Sequence, residues 1–593
     1  MGKSSDISII RDFLKAGFNI TPDALNYIRN LDNPAKFTRL FLNSYNRSNG
    51  DHLITINILE QLHKVLVSTI RDISIDTPDN KKIVDDSRAL VAKEKKPVKV
   101  DVKENSPKDK SNNALPPRKV EKTIIMAREL KKTPESKPVI SKASSSPVTE
   151  EVSDPISTIQ KSPSKPRGPR MTSKSQFTPM AREHDEDLKI LEDCTTNLKN
   201  EGEFKDFLQL FKDRFNSIKN IFKSRKDINQ LIDIADLSKL SRKNQNYHVF
   251  GMVNDKKRTK AGNLMLEVED STGSINVIIS AKTIDPDIIP HILNDEVLCF
   301  NGFYKDGIFI ANEFSWPDIT SNRPISFSTE DLAILLISDL HIGSDNHLEK
   351  LWNRFENWMN GVGSDRKQKE LAGKVKYVSI AGDIIDGVGI YPTQEQHLVI
   401  TDVHKQIEVA AELLQRLPDH LKFIIAPGSH EPVRRAMPQP AIPKSYCQPL
   451  IDIGATMVSN PALIETNGIK TLMYHGDSFI DLSMDIPEIS NSTPERGMEK
   501  LLKSRHLAPS FGKRSEIAPD RKDWLVINTI PDIFHTGHVH CFGVKKYRNV
   551  WMVNSGCFQG QTDFMRSLGI VPTPGKPNII TLKDLSLTTL NIT

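Results

Sequence analysis

The chain has 593 residues, too many for a single hydrophobic core and enough for about three or four domains by length alone. A formal net charge of +5 with 26% charged residues is only mildly basic, which permits an acidic partner such as nucleic acid without demanding one. Five scattered cysteines (Cys194, Cys299, Cys447, Cys541, Cys557) form no CxxC pair, which argues against a disulfide framework and a cysteine-based zinc site. No run of about eighteen apolar residues is present, Arg11, Asp12 and Lys15 break up any signal-peptide core, and "MGKSSD" departs from the myristoylation pattern at Asp6. A soluble, internal protein is expected.

In chain order, residues 1–75 carry helical periodicity in Ile9, Phe13, Leu14 and Phe18 and again in Leu25, Ile28 and Leu31, with Thr21-Pro22 as a cap and first-turn proline. A small helical module for docking is predicted. Residues 76–185 change character: "KEKKPVKVDVKENSPKDKSNN" and "KSPSKPRGPRMTSKSQ" are rich in Lys, Pro and Ser and nearly free of aromatics. Such a stretch cannot bury enough apolar surface to offset the entropy of ordering, so a disordered basic linker is predicted. It would serve as a solvated tether or hold a nucleic-acid backbone weakly. Helical spacing returns over 186–242 in Leu188, Leu191, Phe207, Phe211, Phe215 and Ile218, predicting a helical connector.

Residues 243–327 read as about five short strands separated by turns at Asn254-Asp255, Ser271 to Gly273 and Lys305 to Gly307. That pattern suggests a small β-barrel of the oligonucleotide-binding (OB) type. Lys256, Lys257, Arg258 and Lys260 crowd the first hairpin. Nucleic-acid contact and protein docking are the two readings of this barrel.

Residues 328–593 alternate apolar strands with helical stretches, and each strand ends on residues that chemistry would use. "LLISDLHIGS" delivers Asp339 and His341, "VKYVSIAGDIIDG" Asp383 and Asp386, "LKFIIAPGSHEPVRR" His430, "TLMYHGDS" His475, and "DIFHTGHVH" His538 and His540. A buried strand has no use for such groups, since an unpaired carboxylate or imidazole is costly away from water. A two-metal hydrolase does use them: two divalent ions about 4 Å apart need a shared carboxylate, flanking imidazoles and open positions for substrate. Gly343, Gly382, Gly428, Gly476 and Gly537 stand beside these residues, where the backbone must turn sharply or approach closely.

The string SDLHIGS, AGDIIDG, PGSHE, YHGD, HTGHVH resembles the calcineurin-like metallophosphoesterase superfamily. The resemblance implies an αββα sandwich with Asp339, His341, Asp383 and His540 at a first metal, and Asp383, His475 and His538 at a second. His430 would contact the phosphate and serve the leaving oxygen, with Asp386 and Glu431 in support. "HEPVRRAMPQPAIP" and "GCFQGQTDFMRSLGIVPTPG", with a barrel before the last domain, resemble the small subunits of archaeal family-D DNA polymerases. That resemblance implies a Mn²⁺-dependent (alternatively Mg²⁺-dependent) 3′-to-5′ proofreading exonuclease acting on DNA 3′ ends. It also implies a large catalytic subunit as partner, accessory factors meeting the N-terminal module and linker, and a place at the nucleoid of an archaeal cytoplasm.

One position departs from the pattern. Ser429 stands where the superfamily has an asparagine that ligates the second metal. Either the second site is weakened and the subunit has drifted toward assembly, or Ser429 and the remaining ligands still hold two ions. Arg434 and Arg435 would clamp a DNA phosphate or decorate an exposed loop. His535 reads as a partner of a ligand or as a packed residue, and His347, His397, His404, His420 and His506 as surface or packing residues.

Overall fold

The computed structural model describes residues 177–593 except 230, 240–244 and 568, together with residues 19–20, 28 and 53–54. Most of the expected helical module and the linker up to residue 176 lie outside the described residues. Within the module Asn19–Ile20 pairs in parallel with Leu53–Ile54, a strand pair that the helical pattern gives no sign of. The chain divides into two compact units, Met1–Pro155 and Ile156–Thr593, and the elements that follow belong to the second.

Two expected boundaries are corrected. Residues 177–185, expected at the end of the linker, are packed: Phe177 joins an apolar cluster and Ala181, in the 3-10 turn Met180–Glu183, is fully buried. Phe177 is the first aromatic residue after the Lys-, Pro- and Ser-rich stretch, and it gives the chain something to bury. The expected helical connector opens instead with a strand, β1 (Leu188–Asp193), antiparallel to the segment Ala462–Thr466. Six residues are too few for periodicity to separate helix from strand, and an open sheet edge satisfies their backbone groups. The helix follows as α1 (Phe204–Lys223), opened by a reciprocal cap between Glu203 and Asp206.

Five strands close a barrel: β2 (Tyr247–Arg258), β3 (Leu264–Asp270), β4 (Gly273–Ile279), β5 (Val297–Lys305) and β6 (Ile308–Ser315), in the order β2-β3-β4-β6-β5. Only β4 and β6 run parallel. The turn expected at Asn254-Asp255 is a bulge between Val253 and Asp255, and the strand runs on to Arg258 before reversing. The extra residue is absorbed by a bend, so the turn chemistry of Asn-Asp is spent inside a strand. Helix α1 lies on the barrel with Phe215, Ile218 and Phe222 against Phe250, Met252 and Val297; Phe222 stacks on Phe250 at 5.7 Å.

Two six-stranded sheets make the rest. The first joins β7 (Ala333–Ile337), β8 (Val375–Ala381), β9 (Lys422–Ala426) and β10 (Thr456–Met457) in parallel, with β16 (Asn578–Thr581) and β17 (Leu587–Thr589) antiparallel beyond β7. The second orders β14 (Phe542–Tyr547), β15 (Val550–Ser555), β13 (Ile533–Thr536), β12 (Ile469–Met473), β11 (Ala462–Thr466) and β1.

Side-chain alternation along the strands decides the layering. Ile334, Leu336, Tyr377 and Ile424 of the first sheet meet Ile464, Met473, Ile533 and Val553 of the second. The opposite faces take helices. Leu335, Val378 and Ile425 pack on Trp352 and Phe355 of α2 (Glu349–Met359) and on Ile407 of α3 (Val403–Gln415). Leu472, Phe534 and Met552 pack on Phe479 of α4 (Phe479–Asp485) and on Met498 and Leu501 of α5 (Pro494–Ser504). The order is helix, sheet, sheet, helix. Strands covered on both faces explain the unbroken apolar run of β7, whose five residues are all buried. Among the described residues no helix is long and apolar enough to cross a membrane.

Candidate metal centre

Parallel strands end side by side, so residues distant in sequence gather at one sheet edge. Asp339 and His341 follow β7, Asp383 and Asp386 follow β8, and Ser429, His430 and Glu431 follow β9. His475 follows β12, and His538 and His540 follow β13. Five of these residues are left-handed: Asp339 (φ 54°), His341 (48°), Asp383 (51°), His538 (70°) and His540 (57°). A non-glycine residue in this region costs about 1 kcal/mol or more, and such strain persists where the surroundings over-determine it. The surroundings here are cross-bonded turns: Asp339 N donates to Gly382 O at 3.0 Å and His341 N to Asp383 O at 3.0 Å.

The side chains meet in three groups: two share Asp383, and a third joins His341, Asp386 and His430. Asp339, His341, Asp383 and His540 place one atom each within 4.8 Å of the others, and so do Asp383, His475 and His538. His341 Nε2 faces His540 Nε2 at 3.0 Å, and His475 Nε2 faces His538 Nδ1 at 3.1 Å and Asp383 Oδ2 at 3.1 Å. The outer nitrogens are fixed. His341 Nδ1 bonds Asp386 Oδ1 at 2.9 Å, His475 Nδ1–H donates to Ala381 O at 2.8 Å, and His430 Nδ1–H donates to Asp386 O at 2.6 Å. Anchoring one ring nitrogen on oxygen turns the other, with its lone pair, inward. All but His430, Ser429 and His538 are buried, and the His430 side chain is 15% exposed.

The donor set fits divalent cations. Facing imidazole nitrogens beside two carboxylates satisfy one another only by taking up extra protons, whereas nitrogen and oxygen ligands at this spacing suit a metal ion without them. Electrostatics agree. Burial alone would raise the carboxyls of Asp339 and Asp383, yet the neighbouring imidazoles hold both below the usual range. Burial likewise opposes charge on His475, but the Asp383 and Asp339 carboxylates push it well above its ordinary value. The cluster therefore draws positive charge, and a cation would displace those protons. These buried His/Asp groups could bind metal ions.

Close approach explains two glycines. A Cβ on Gly428 would lie 2.4 Å from Asp383 Oδ1, and one on Gly537 2.4 Å from Asp339 Oδ2. Glu431 is buried and takes four backbone amides, from Gly428 (2.7 Å), Asp383 (3.0 Å), Ile384 (2.7 Å) and Ile385 (3.4 Å). Burial, then the nearby Asp383 charge, pushes its carboxyl up to about 7. It clamps the β8 and β9 turns together. Ser429 lies next to Asp383, its hydroxyl donating to Oδ2 at 3.3 Å.

Other expected residues stand elsewhere. Arg434 does not face the cluster: its guanidinium is committed to buried Asp520 and to Pro438 O, the latter at 2.8 Å. Arg435 is exposed and has no ion-pair partner among the described residues. Lys256 is half-buried and donates to Ile292 O, leaving Lys257 and Arg258 as the exposed cations of that strand. The bulge re-aims Lys256 toward the barrel, which period-two reasoning cannot see. His535 is packed between the sheets, with Nδ1 bonding Ser379 Oγ at 2.9 Å and Nε2 bonding Ser555 Oγ at 2.7 Å. Burial drives its pKa down to about 3, so the ring is neutral.

Sequence reading misses the amides that hold the turns. Gln394 Nε2 donates to Asp386 Oδ2 (2.9 Å), Gln559 Nε2 to Asp386 Oδ1 (3.2 Å), and Asn460 Oδ1 accepts His475 N (2.9 Å). Gln559 lies within the quoted terminal string, but its task is visible only in three dimensions.

Comparison with known proteins defines the class first. The family of DNA polymerase alpha/epsilon B-subunits matches residues 334–543, the stretch that carries all five turns of the His/Asp cluster. The DNA polymerase II small subunit of Methanothermobacter thermautotrophicus is 38% identical over 421 residues, covering 70% of this chain and 84% of that one. Those of Archaeoglobus fulgidus (38% over 391 residues; 65% and 77%) and Pyrococcus abyssi (39% over 381 residues; 64% and 61%) are similar. The chain belongs to the family of archaeal DNA polymerase II (family D) small subunits.

Proposed function

We propose that this chain is the metal-dependent 3′-to-5′ exonuclease of its polymerase, built on a calcineurin-like phosphoesterase sandwich, and that it carries the large catalytic subunit as a partner. One observation carries the reading: Asp383 is shared between two ligand groups, each completed by histidines from other strand ends. The αββα layering and the barrel order, which matches an OB-type barrel, support it. Asp339, His341, Asp383 and His540 would hold the first ion and Asp383, His475 and His538 the second, with the Ser429 hydroxyl at its edge. When bound, the pair of divalent ions, Mn²⁺ or alternatively Mg²⁺, supplies Lewis-acid polarisation of a phosphodiester and activates water at neutral pH.

The chain's own residues do the rest. Asp386, through His341, and the Ala381 carbonyl, through His475, orient the ligand rings. His430 is the least enclosed of the ring groups tied to Asp386. Its Nε2 would meet the phosphate and pass a proton to the departing 3′ oxygen of the shortened strand. Glu431 fixes the two turns that hold Asp383 and His430. Exposed Arg435, Lys257 and Arg258 would meet backbone phosphates, and the N-terminal module and linker would meet accessory factors.

Purified chain with Mn²⁺ should release nucleotides from a single-stranded or mismatched 3′ end, and His430→Ala should abolish the release. Equal inertness of both across divalent metals would sink the reading. A second reading, a non-catalytic assembly subunit, rests on Ser429. Ser429→Asn separates the two: an active two-metal enzyme gains second-ion affinity, whereas an assembly subunit gains no activity.

A further inference from the structure

Two segments leave the metal cluster and form its rim. The first, after Asp386, is held by Gln394, which donates to the Asp386 carbonyl at 2.8 Å and to its carboxylate. The second starts at Gln559, which donates to the same carboxylate at 3.2 Å. The first segment carries Tyr391 and the second Phe564, in helix α6 (Asp563–Ser567). Their rings stack across the gap, centroids 5.8 Å apart and planes within 15°. Phe564 is 56% exposed, and Val571 (69%) and Val399 (73%) stand exposed on the same two segments.

Both segments also touch ligand turns directly: Val399 N donates to Gly343 O at 2.8 Å and Thr573 N to His540 O at 2.9 Å. Burial, with the charges of Asp386 and Asp345, pushes the Tyr391 phenol up to about 12, so the ring stays neutral. An aromatic ring left more than half open to water beside such a cluster offers a surface on which the flat face of a base can stack.

Resting on the exonuclease reading, we propose that Tyr391 and Phe564 form a stacking platform that receives the unpaired nucleobase of the DNA 3′ end and so presents its phosphodiester to the metal cluster. Only an unstacked base can reach such a platform, so a frayed or mismatched terminus is favoured over a paired one. A base has a π-face whatever its identity, so the platform is indifferent to sequence.

The test uses the full chain. With Mn²⁺ and single-stranded oligonucleotides, Phe564→Ala and Tyr391→Ala should each raise KM about tenfold with little change in kcat. Phe564→Trp should keep the wild-type KM, and an oligonucleotide with an abasic 3′ terminus should be insensitive to all three. Independently of cleavage, 2-aminopurine at the 3′ terminus, bound in Ca²⁺, should be quenched by the wild type and not by the Ala variants. Wild-type cleavage with unchanged KM and quenching in the Ala variants overturns the platform and leaves the exonuclease standing. Quenching without cleavage by the wild type does the reverse. If Phe564→Ala loosens the large subunit while quenching is unchanged, the pair is a protein-docking face and the proposal is wrong.

Discussion

Replacing Asp386 with alanine removes the acceptor that fixes His341. The carboxylate takes hydrogen bonds from three side chains: His341 at 2.9 Å, Gln394 at 2.9 Å and Gln559 at 3.2 Å. Without it His341 is free to change tautomer and ring orientation, and its Nε2 no longer points reliably at Asp339 and Asp383. Partners of this kind are worth about 10- to 100-fold in metal affinity, or about 1.4–2.7 kcal/mol. Gln394 keeps the Asp386 carbonyl and Gln559 the Ser344 hydroxyl, but each amide loses one of its two acceptors, which adds roughly 1–3 kcal/mol of lost stability. Mn²⁺ titration calorimetry on the full chain should therefore show the first ion weakened into that range, at a temperature well below the lowered melting point. Asp386→Asn keeps an oxygen toward His341 but sets an amide against Gln394, so it should recover most of the affinity and less of the stability. If folded Asp386→Ala binds Mn²⁺ within twofold of the wild type, the reasoning about orientation is wrong.

Three further outcomes are expected. Glu296, just before β5, accepts from Lys500 and Ser504 of α5 and ties the barrel to the sandwich; Lys500 and Glu296 are both nearly inaccessible. Glu296→Ala leaves a buried ammonium unpaired and should cost about 3–5 kcal/mol by denaturant unfolding; Glu296→Leu with Lys500→Met should restore only part of it, because the same carboxylate also accepts the Leu293 amide at 2.9 Å and the Trp316 indole at 3.3 Å. Asp523 joins Arg214 (2.8 Å) and His506 (2.9 Å) in a buried network, and although burial opposes it, those partners hold its carboxyl below the usual range. The folded state then binds fewer protons there than the unfolded chain, so its contribution is complete above about pH 4 and is lost as the pH falls below that; the stability gap to Asp523→Asn should narrow on acidification. Finally, Arg435→Ala should weaken DNA binding and reduce the salt slope by about 1, while Arg434→Ala should lower stability and leave the slope unchanged.

What can be read from the sequence follows a physical rule. Unbroken apolar runs such as Leu335 and Leu336, ending on acids and imidazoles, mark strands buried on both faces whose ends alone meet solvent. The turns of the cluster are therefore legible as candidate ligand turns one by one. What joins them is not: the sharing of Asp383, the left-handed backbone at five residues of the cluster, and the amides of Gln394 and Gln559 depend on which strands lie side by side. β1 escapes sequence reading because its short run takes its conformation from a sheet edge far along the chain. Lys256 and Arg434 escape it for a related reason. A basic residue in a loop looks free until the carbonyl or carboxylate that claims it is in view.

Where cations bind decides whether this sheet edge is a two-metal nuclease site. Crystals of the full chain soaked in Mn²⁺ and measured at the manganese absorption edge should show two anomalous peaks, one on each side of the Asp383 carboxylate, the second weaker in keeping with Ser429. Peaks elsewhere, or none at this sheet edge in protein that still removes 3′ nucleotides, would contradict it.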